Sequence, residues 1–201
     1  VPLMLGLEGT KLNDLSKPYR VTENLQVTSL SFFLPSSEPI IWRGPQKMGA
    51  IMEILEGVEW GEIDFLIVDL PPGTGDETLT IAQNLGIGSK AIVVTTPQDV
   101  ALLDSRKSVK FATLVNQELI GVVENMSGFV CPECGKEINI FKKGGAEKMA
   151  KEMEADFLGS IPMEASIVEA GDTGKPYIST DSIASRKLDA IISRVIEKVE
   201  K

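Results

Sequence analysis

The sequence contains no histidine and only two cysteines, Cys131 and Cys134, which lie in the stretch FVCPECG. Histidine is the commonest metal-binding side chain, so its absence excludes a mixed cysteine–histidine site. Structural zinc sites generally use four protein ligands. A single copy of the chain supplies two thiolates, and the C-x-x-C spacing alone does not say what completes the set.

Aromatic residues make up only 5% of the sequence, and acidic residues outnumber basic ones by 29 to 20, for a net charge of −9. Proteins bind nucleic acid largely through lysine and arginine side chains that neutralise phosphates. The sequence has no basic patch rich in aromatics. We therefore expect no nucleic-acid partner.

Long apolar runs are also missing, since none approaches the roughly 20 residues that span a bilayer. The first ten residues lack the basic and apolar regions of a secretory signal, and two cysteines do not form a disulfide framework. We expect a cytoplasmic protein without a membrane partner. The length of 201 residues, 43% of them hydrophobic, suits one globular domain.

What the sequence does contain is an alternation of apolar runs and amphipathic stretches, which predicts a mostly parallel sheet covered by helices on both faces. Two unbroken apolar runs, 64–70 and 90–96, are typical of buried parallel strands. The other predicted strands are 25–34, 118–125 and 156–162, and the predicted helices are 45–58, 78–85, 96–115, 144–153 and 181–200. In the helix from 96, Thr96 is the expected cap and Pro97 the first helical residue.

The most informative stretch is FLIVDLPPGTGDETLT, residues 65–80. Asp69 follows an apolar run, and ligands of open parallel sheets bind beyond the carboxyl ends of the strands. A carboxylate there suits the Walker-B role of holding Mg²⁺ near nucleotide phosphates. Gly73 allows the loop to approach a γ-phosphate closely. The alternative is an ordinary strand-to-helix turn with a capping aspartate.

A P-loop motif, G-x-x-x-x-G-K-S/T, is absent from the 201 residues. Its glycines and lysine cradle the phosphates in P-loop NTPases, and it normally precedes the Walker-B strand by a long stretch. Either the motif lies in a segment upstream of Val1, or the chain does not bind nucleotide by the usual means.

Six stretches in this order resemble one family, the Mrp/ApbC branch of the deviant-Walker P-loop ATPases, which are relatives of MinD and the nitrogenase iron protein. The stretches are WRGP (42–45), WGEIDFLIVDLPPGTGDETLTIAQ (60–83), TTPQDVALLDSRKSV (95–109), GVVENMSGFVCPECG (121–135), FKKGGAEKMAKE (141–152) and GSIPMEASIVEAGDTGKP (159–176). The resemblance implies a single P-loop NTPase-type domain over 1–201 that lacks its N-terminal Walker A strand, loop and helix. It also implies slow ATP hydrolysis.

The same resemblance implies a homodimer that binds ATP or ADP with Mg²⁺, carries a bridging [4Fe–4S] cluster and transfers it to apo iron–sulfur proteins. The cluster ligands would be Cys131 and Cys134, in a cysteine loop that spans residues 127–141. The catalytic residues implied are Asp69, which also contacts the metal, Gly73 and Asp76. The implied adenine-side residues are Asn125, Pro162, Met163 and Glu164.

Three interpretations of the cysteine pair compete. An intramolecular redox pair would need a lowered thiol pKa, which Glu133 between the cysteines and Glu137 nearby disfavour. A zinc knuckle lacks two ligands within one chain. A twofold axis brings two C-x-x-C pairs together, and the Cys₄ shell so formed suits zinc or [4Fe–4S]. The resemblance favours iron–sulfur, with zinc as an isolated form. The rival functions are a zinc-bridged dimerisation module and a MinD-like positioning ATPase.

Overall fold

The computed structural model describes residues 1–34, 43–86, 88–131, 133–134 and 136–200. They form two compact units. The first comprises Val1–Ile81 with Ala170–Pro176, and the second Ala82–Glu169 with Tyr177–Lys201. No helix within the described ranges is long and apolar enough to cross a bilayer. The single domain over 1–201 stays a prediction.

The first unit begins with a short 3₁₀ helix, Leu3–Leu5, and an antiparallel hairpin of β1 (Tyr19–Thr22) and β2 (Leu25–Val27). The strand predicted for 25–34 therefore covers only its first three residues. The Ser29 hydroxyl accepts the N–H of Ser31 and starts a 3₁₀ turn at Leu30–Phe32. A side chain that bonds its own backbone in this way competes with strand pairing.

Two helices of this unit agree with prediction. The helix α1 (Gly44–Gly57) begins where the N–H of Arg43 donates to Gln46 Oε1 at 3.0 Å, and Pro45 suits its first turn. The helix α2 (Asp76–Leu85) starts two residues earlier than predicted, with acidic residues in its first turn, where the helix dipole favours them. Residue 42 of the quoted WRGP stretch lies outside the described residues.

The predicted buried strand 64–70 is wrong. Residues 65–71 have no regular secondary structure, and Phe65 and Ile67 are 55% and 90% exposed. A strand requires neighbouring strands that satisfy its backbone N–H and C=O groups, and no described strand pairs with this run. The apolar pattern indicates that these residues favour burial, but it does not indicate which neighbouring strand would bury them.

The described residues of the second unit form five strands: β3 (Lys90–Thr95), β4 (Glu118–Glu124), β5 (Phe129–Val130), β6 (Glu137–Ile138) and β7 (Phe157–Ser160). Three of them form a parallel sheet with β4 between β3 and β7. The other two, β5 and β6, pair antiparallel as a separate short hairpin. The predicted strands at 90–96, 118–125 and 156–162 are thus confirmed within two residues at each end.

The helices of the chain after β3 are α3 (Asp99–Leu114), α4 (Gly145–Glu152), α5 (Ala165–Thr173) and α6 (Ile183–Val199), with a 3₁₀ turn at Tyr177–Ser179. On one face of the sheet, α3 and α4 pack against Val93 and Val122. On the other face, α6 packs against Ile120 and Leu158. The α/β class, with a parallel sheet between helices, is confirmed.

Two local expectations in this unit are wrong. Helix α3 begins at Asp99, so Pro97 precedes the helix. The hydroxyl of Thr96 donates to the side chain of Gln98 instead of capping. The strand β3 is not buried on both faces, because Ile92 and Val94 are 42% and 60% exposed. It is an edge strand, while α6 packs on β4 and β7.

Candidate functional site

The cysteine loop leaves the carboxyl end of β4 and carries both cysteines at the tip of the β5–β6 hairpin. Phe129 pairs with Ile138 and Val130 with Glu137 at the base, and the N–H of Cys131 donates to Lys136 O at 3.0 Å. Cys131 is half-buried and Cys134 is exposed, both as free thiols. The hairpin therefore presents the pair toward solvent.

The turn between the cysteines favours a thiolate at Cys131. The backbone N–H of Cys134, then that of Glu133, and then the Cys134 thiol lower the pKa of Cys131 below its ordinary value. The thiolate is the form that binds metals. The expectation that Glu133 and Glu137 disfavour a lowered thiol pKa is wrong for Cys131, because the backbone N–H groups of the turn bond its sulfur. Pro132 and Gly135 of the same turn lie outside the described residues.

This lowered pKa predicts the pH dependence of alkylation. Only the thiolate reacts with iodoacetamide, so in metal-free Cys134→Ala protein we expect Cys131 to react with a midpoint at lower pH than in the urea-unfolded chain. The Cys134→Ala variant keeps both backbone donors, and Cys131 is then the one thiol whose alkylation is measured. Mass spectrometry of the alkylated fraction against pH measures it. Equal midpoints in the folded and unfolded protein would contradict the assignment.

Among the residues that the structure describes, no further metal ligands join the cysteines. Within the described ranges, no group of three or more histidine, cysteine, aspartate or glutamate side chains could hold a metal ion. The donor set of one copy is thus two thiolates, half of the Cys₄ set that holds zinc or an iron–sulfur cluster. The chemistry of the ligands fits a shared site and does not fit a complete site within one copy.

Three of the predicted adenine-side residues lie together at the carboxyl edge of the parallel sheet. Asn125 follows β4, and its N–H donates to Thr95 O at 2.7 Å. Its own Oδ1 accepts the N–H of Met126 at 2.8 Å. The neighbouring segment carries Pro162 and Met163, which follow β7. The side-chain amide nitrogen of Asn125 remains a donor that a base edge could accept.

Backbone hydrogen bonds hold these two segments side by side. The N–H of Ile161 donates to Glu124 O at 2.8 Å, and the N–H of Ser127 donates to Ile161 O at 2.9 Å. The N–H of Met163 donates to Gly128 O at 2.9 Å. The start of the cysteine loop therefore shares one edge of the sheet with the predicted adenine side.

Glu164 has a structural role in this arrangement. Its Oε1 accepts the N–H of Ala184 at 2.9 Å, and its Oε2 accepts the hydroxyl of Ser166 at 3.2 Å. A carboxylate at a helix N-terminus satisfies a free N–H and interacts favourably with the dipole. The side chain thus stabilises the start of α6, and a contact with nucleotide stays a prediction.

The predicted nucleotide loop lies in the first unit. Asp69 and Asp76 are exposed, and Gly73 has φ +93°, a conformation that side chains disfavour. The carbonyl of Gly73 accepts the hydroxyl of Thr78 at 3.3 Å, which links the loop to α2. Because 64–70 is not a strand here, the expected position of Asp69 at a strand end is not found.

The first turns of α1 and α2 form a shallow pocket of about 250 Å³. It is lined by Gly44, Pro45, Met48, Asp76, Leu79 and Thr80. Beside it, Lys47 pairs with Glu77 at 3.1 Å. The pKa of Glu77 is lowered first by its own backbone N–H and then by Lys47. The structure thus brings Asp76 to a concave surface, whereas Asp69 does not line it.

Sequence reasoning missed Glu124, whose side chain is fully buried at the end of β4. It accepts hydrogen bonds from the first residue of the cysteine loop and from the start of α4. A signal was present in GVVEN, since an acidic residue that directly follows buried valines needs internal partners.

Comparison with known proteins identifies the family. Residues 1–199 match the family described as ParA: NUBPL iron-transfer P-loop NTPase. The chain is 45% identical over 206 residues to the iron–sulfur cluster carrier protein of Methanocaldococcus jannaschii, covering 100% of this chain and 70% of that protein. It is 43% identical over 205 residues to the protein of the same name in Methanococcus maripaludis, covering 100% and 71%.

Solved structures of nucleotide-binding proteins are similar to this chain. A nucleotide-binding protein of Archaeoglobus fulgidus, described in complex with ADP and with cobalt, has a TM-score of 0.70 and 32% identity, covering 87% of this chain and 68% of that one. The MinD cell division protein of Aquifex aeolicus has a TM-score of 0.59 over 100% of this chain and 80% of its own, at 16% identity. That second likeness shows the fold alone. The resemblance to the Mrp/ApbC branch is confirmed, and the chain belongs to the NUBPL iron-transfer P-loop NTPases.

Proposed function

We propose that this chain is an ATP-binding iron–sulfur cluster carrier that holds a [4Fe–4S] cluster between two copies and transfers it to apo iron–sulfur proteins. The observation that supports it most is the exposed hairpin tip with Cys131 and Cys134. Its backbone amides favour a thiolate at Cys131. Cargo that is handed to another protein must be reachable, and an exposed tip meets that requirement.

The number of thiolate donors supports the proposed dimer. One copy contributes two thiolates, and a twofold axis duplicates any patch that lies beside it. Two such pairs form the Cys₄ set of a [4Fe–4S] cluster. The same set also suits Zn²⁺, so a zinc-bridged dimer is the second candidate. The relatives that match the whole chain are named as cluster carriers, which favours iron–sulfur.

For the nucleotide, we propose that Asp69 holds Mg²⁺, that Gly73 lies near the γ-phosphate and that Asp76 belongs to the same catalytic loop. A hard cation prefers carboxylate oxygens, and its charge would offset that of the phosphates. Asn125 with residues 162–164 would contact the adenine. Because the 201 residues contain no P-loop motif, the phosphates would be held by a segment outside them, and slow hydrolysis of ATP depends on that segment.

A cytoplasmic location is part of the proposal, since the thiols must stay reduced to bind a cluster. The likeness to MinD at 16% identity supports no positioning role, because it concerns the fold alone.

The test is reconstitution with iron and sulfide without oxygen, followed by mixing with the apo form of a [4Fe–4S] enzyme. We expect about two iron and two sulfide per chain, the share of one cluster bridging two copies, and recovery of the enzyme's activity. Metal analysis of the same sample includes zinc. Retention of zinc with neither iron nor transfer would favour the dimerisation module instead.

A further inference from the structure

The side chain of Glu124 is a buried carboxylate with three hydrogen-bond donors around it. It is 0% exposed. Its Oε1 accepts the hydroxyl of Ser127 and the N–H of Gly144, the latter at 2.8 Å, and its Oε2 accepts the N–H of Ala146 at 2.7 Å. Hydrogen bonds to an ionised acceptor are stronger than neutral ones, and a low local dielectric strengthens them further.

The three donors come from both ends of the segment that carries the cysteines. Ser127 is the first residue of the cysteine loop, and Gly144 and Ala146 lie where the chain re-enters the fold as α4. One carboxylate therefore connects the start of the cysteine loop, where the chain leaves the sheet, to the start of α4, where the chain packs on the sheet again. Cys131 and Cys134 lie between these two ties, at the tip of the hairpin.

The return point is fixed by packing as well. A Cβ atom at Gly145 would lie 2.8 Å from Pro97 O and 2.9 Å from Leu102 Cδ1, so the start of α4 is in close contact with the segment that leads into α3. Ala146 and Met149 are fully buried. Close-packed interiors relax only partially when a contact is lost. The carboxylate thus holds the loop against a well-packed helix start.

We propose that Glu124 is a positioning residue for the cysteine pair: its bonds to Ser127, Gly144 and Ala146 fix the base of the hairpin so that Cys131 and Cys134 are held ready for a shared ligand set. The inference rests on the proposed function for the nature of the cargo. The residue touches neither sulfur and acts through the loop. Through its three hydrogen-bond donors, Glu124 orients the loop that carries the cysteines. Outer-shell groups orient the ligands of a metal in a comparable way.

Glu124→Gln is the direct test, because glutamine keeps the size of the side chain and replaces one acceptor oxygen with a donor. With three donors around it, the amide leaves a buried N–H unpaired. We expect release of iron to a chelator to be about tenfold to hundredfold faster than in the wild type, as for other outer-shell substitutions. Circular dichroism and unfolding midpoints establish that the compared proteins are folded at the assay temperature.

The matched control is Ser182→Ala, which removes the N-cap hydrogen bond that the N–H of Ser185 donates to Ser182 Oγ at the start of α6. It weakens a helix start in the same unit without touching the cysteine loop. We expect its release rate to equal that of the wild type. Equal acceleration in this control would show a general effect of stability and would overturn the positioning role, as would wild-type release by Glu124→Gln.

Zinc affinity tests the positioning role of Glu124 independently of whether the protein carries an iron–sulfur cluster. Cysteine thiolates bind Zn²⁺ whether or not the protein carries clusters, so competition with a chromogenic chelator measures the ratio of zinc affinities of variant and wild type. A wild type without a cluster would count against the proposed function, and a tenfold lower zinc affinity in Glu124→Gln would still support the positioning role. Should that variant not fold, Ser127→Ala removes one of the three bonds. An unchanged zinc affinity in Ser127→Ala would then overturn the role.

Discussion

We expect the replacement of Cys131 or Cys134 with alanine to abolish cluster loading and to leave the fold intact. Each substitution removes one ligand per copy, hence half of the four that two copies share, and a [4Fe–4S] cluster is held by cysteine thiolates. The fold should persist because neither Cys131 nor Cys134 belongs to the two buried clusters on the sheet faces. Visible absorption and iron per chain after anaerobic reconstitution measure the loss.

Circular dichroism and the unfolding midpoint are the controls for this experiment. Both variants should match the wild type, since Cys134 is exposed and Cys131 half-buried. If a variant holds iron at the wild-type stoichiometry, the cysteine replaced in that variant is not a ligand of the cluster.

We expect Asp69→Asn to lower Mg²⁺-dependent ATP turnover on the order of 10²-fold, the loss typical when one preorganised group at a charged transition state is removed. The asparagine keeps the shape of the side chain but loses the charge that would hold Mg²⁺. The assay is phosphate release in a protein that includes the phosphate-binding loop. Nucleotide binding is measured separately to distinguish a defect of affinity from one of hydrolysis.

Asp64→Asn is the matched control, because Asp64 is an exposed aspartate of the same irregular segment and has no assigned role. It should turn over ATP at the wild-type rate. Unchanged turnover in Asp69→Asn would refute the Walker-B role, and an equal loss in both variants would indicate that the segment is sensitive to charge in general.

Local patterns predicted most of the regular structure. The helix expected at 45–58 is found at Gly44–Gly57, and the strand expected at 118–125 is found at Glu118–Glu124. Both carry a periodicity that matches their burial, which is the strongest signal in a sequence. Helix α3 shows the limit: Thr96 and Pro97 match the start signals of a helix, yet the helix begins at Asp99 and the hydroxyl of Thr96 donates to the side chain of Gln98.

The failure at 64–70 and the oversight of Glu124 share a physical cause. Both depend on partners distant in sequence: a strand needs neighbours that bond its edges, and a buried carboxylate needs donors, here up to 22 residues away. The periodicity and spacing of residues along the sequence indicate neither the neighbouring strands nor the hydrogen-bond donors. At Cys131 the acidic side chains of the turn suggested an unfavourable environment for a thiolate, whereas the backbone N–H groups of Cys134 and Glu133 lower the pKa of the thiol.

The central claim is that the metal site exists only between two copies. The most direct test is the native mass of the reconstituted protein, sprayed without oxygen from a volatile buffer. We predict a species of two chains with one [4Fe–4S] cluster, which separates into metal-free single chains when the cluster is removed. A single chain that carries the whole cluster, or a metal-loaded dimer in which both cysteines are replaced, would contradict the account.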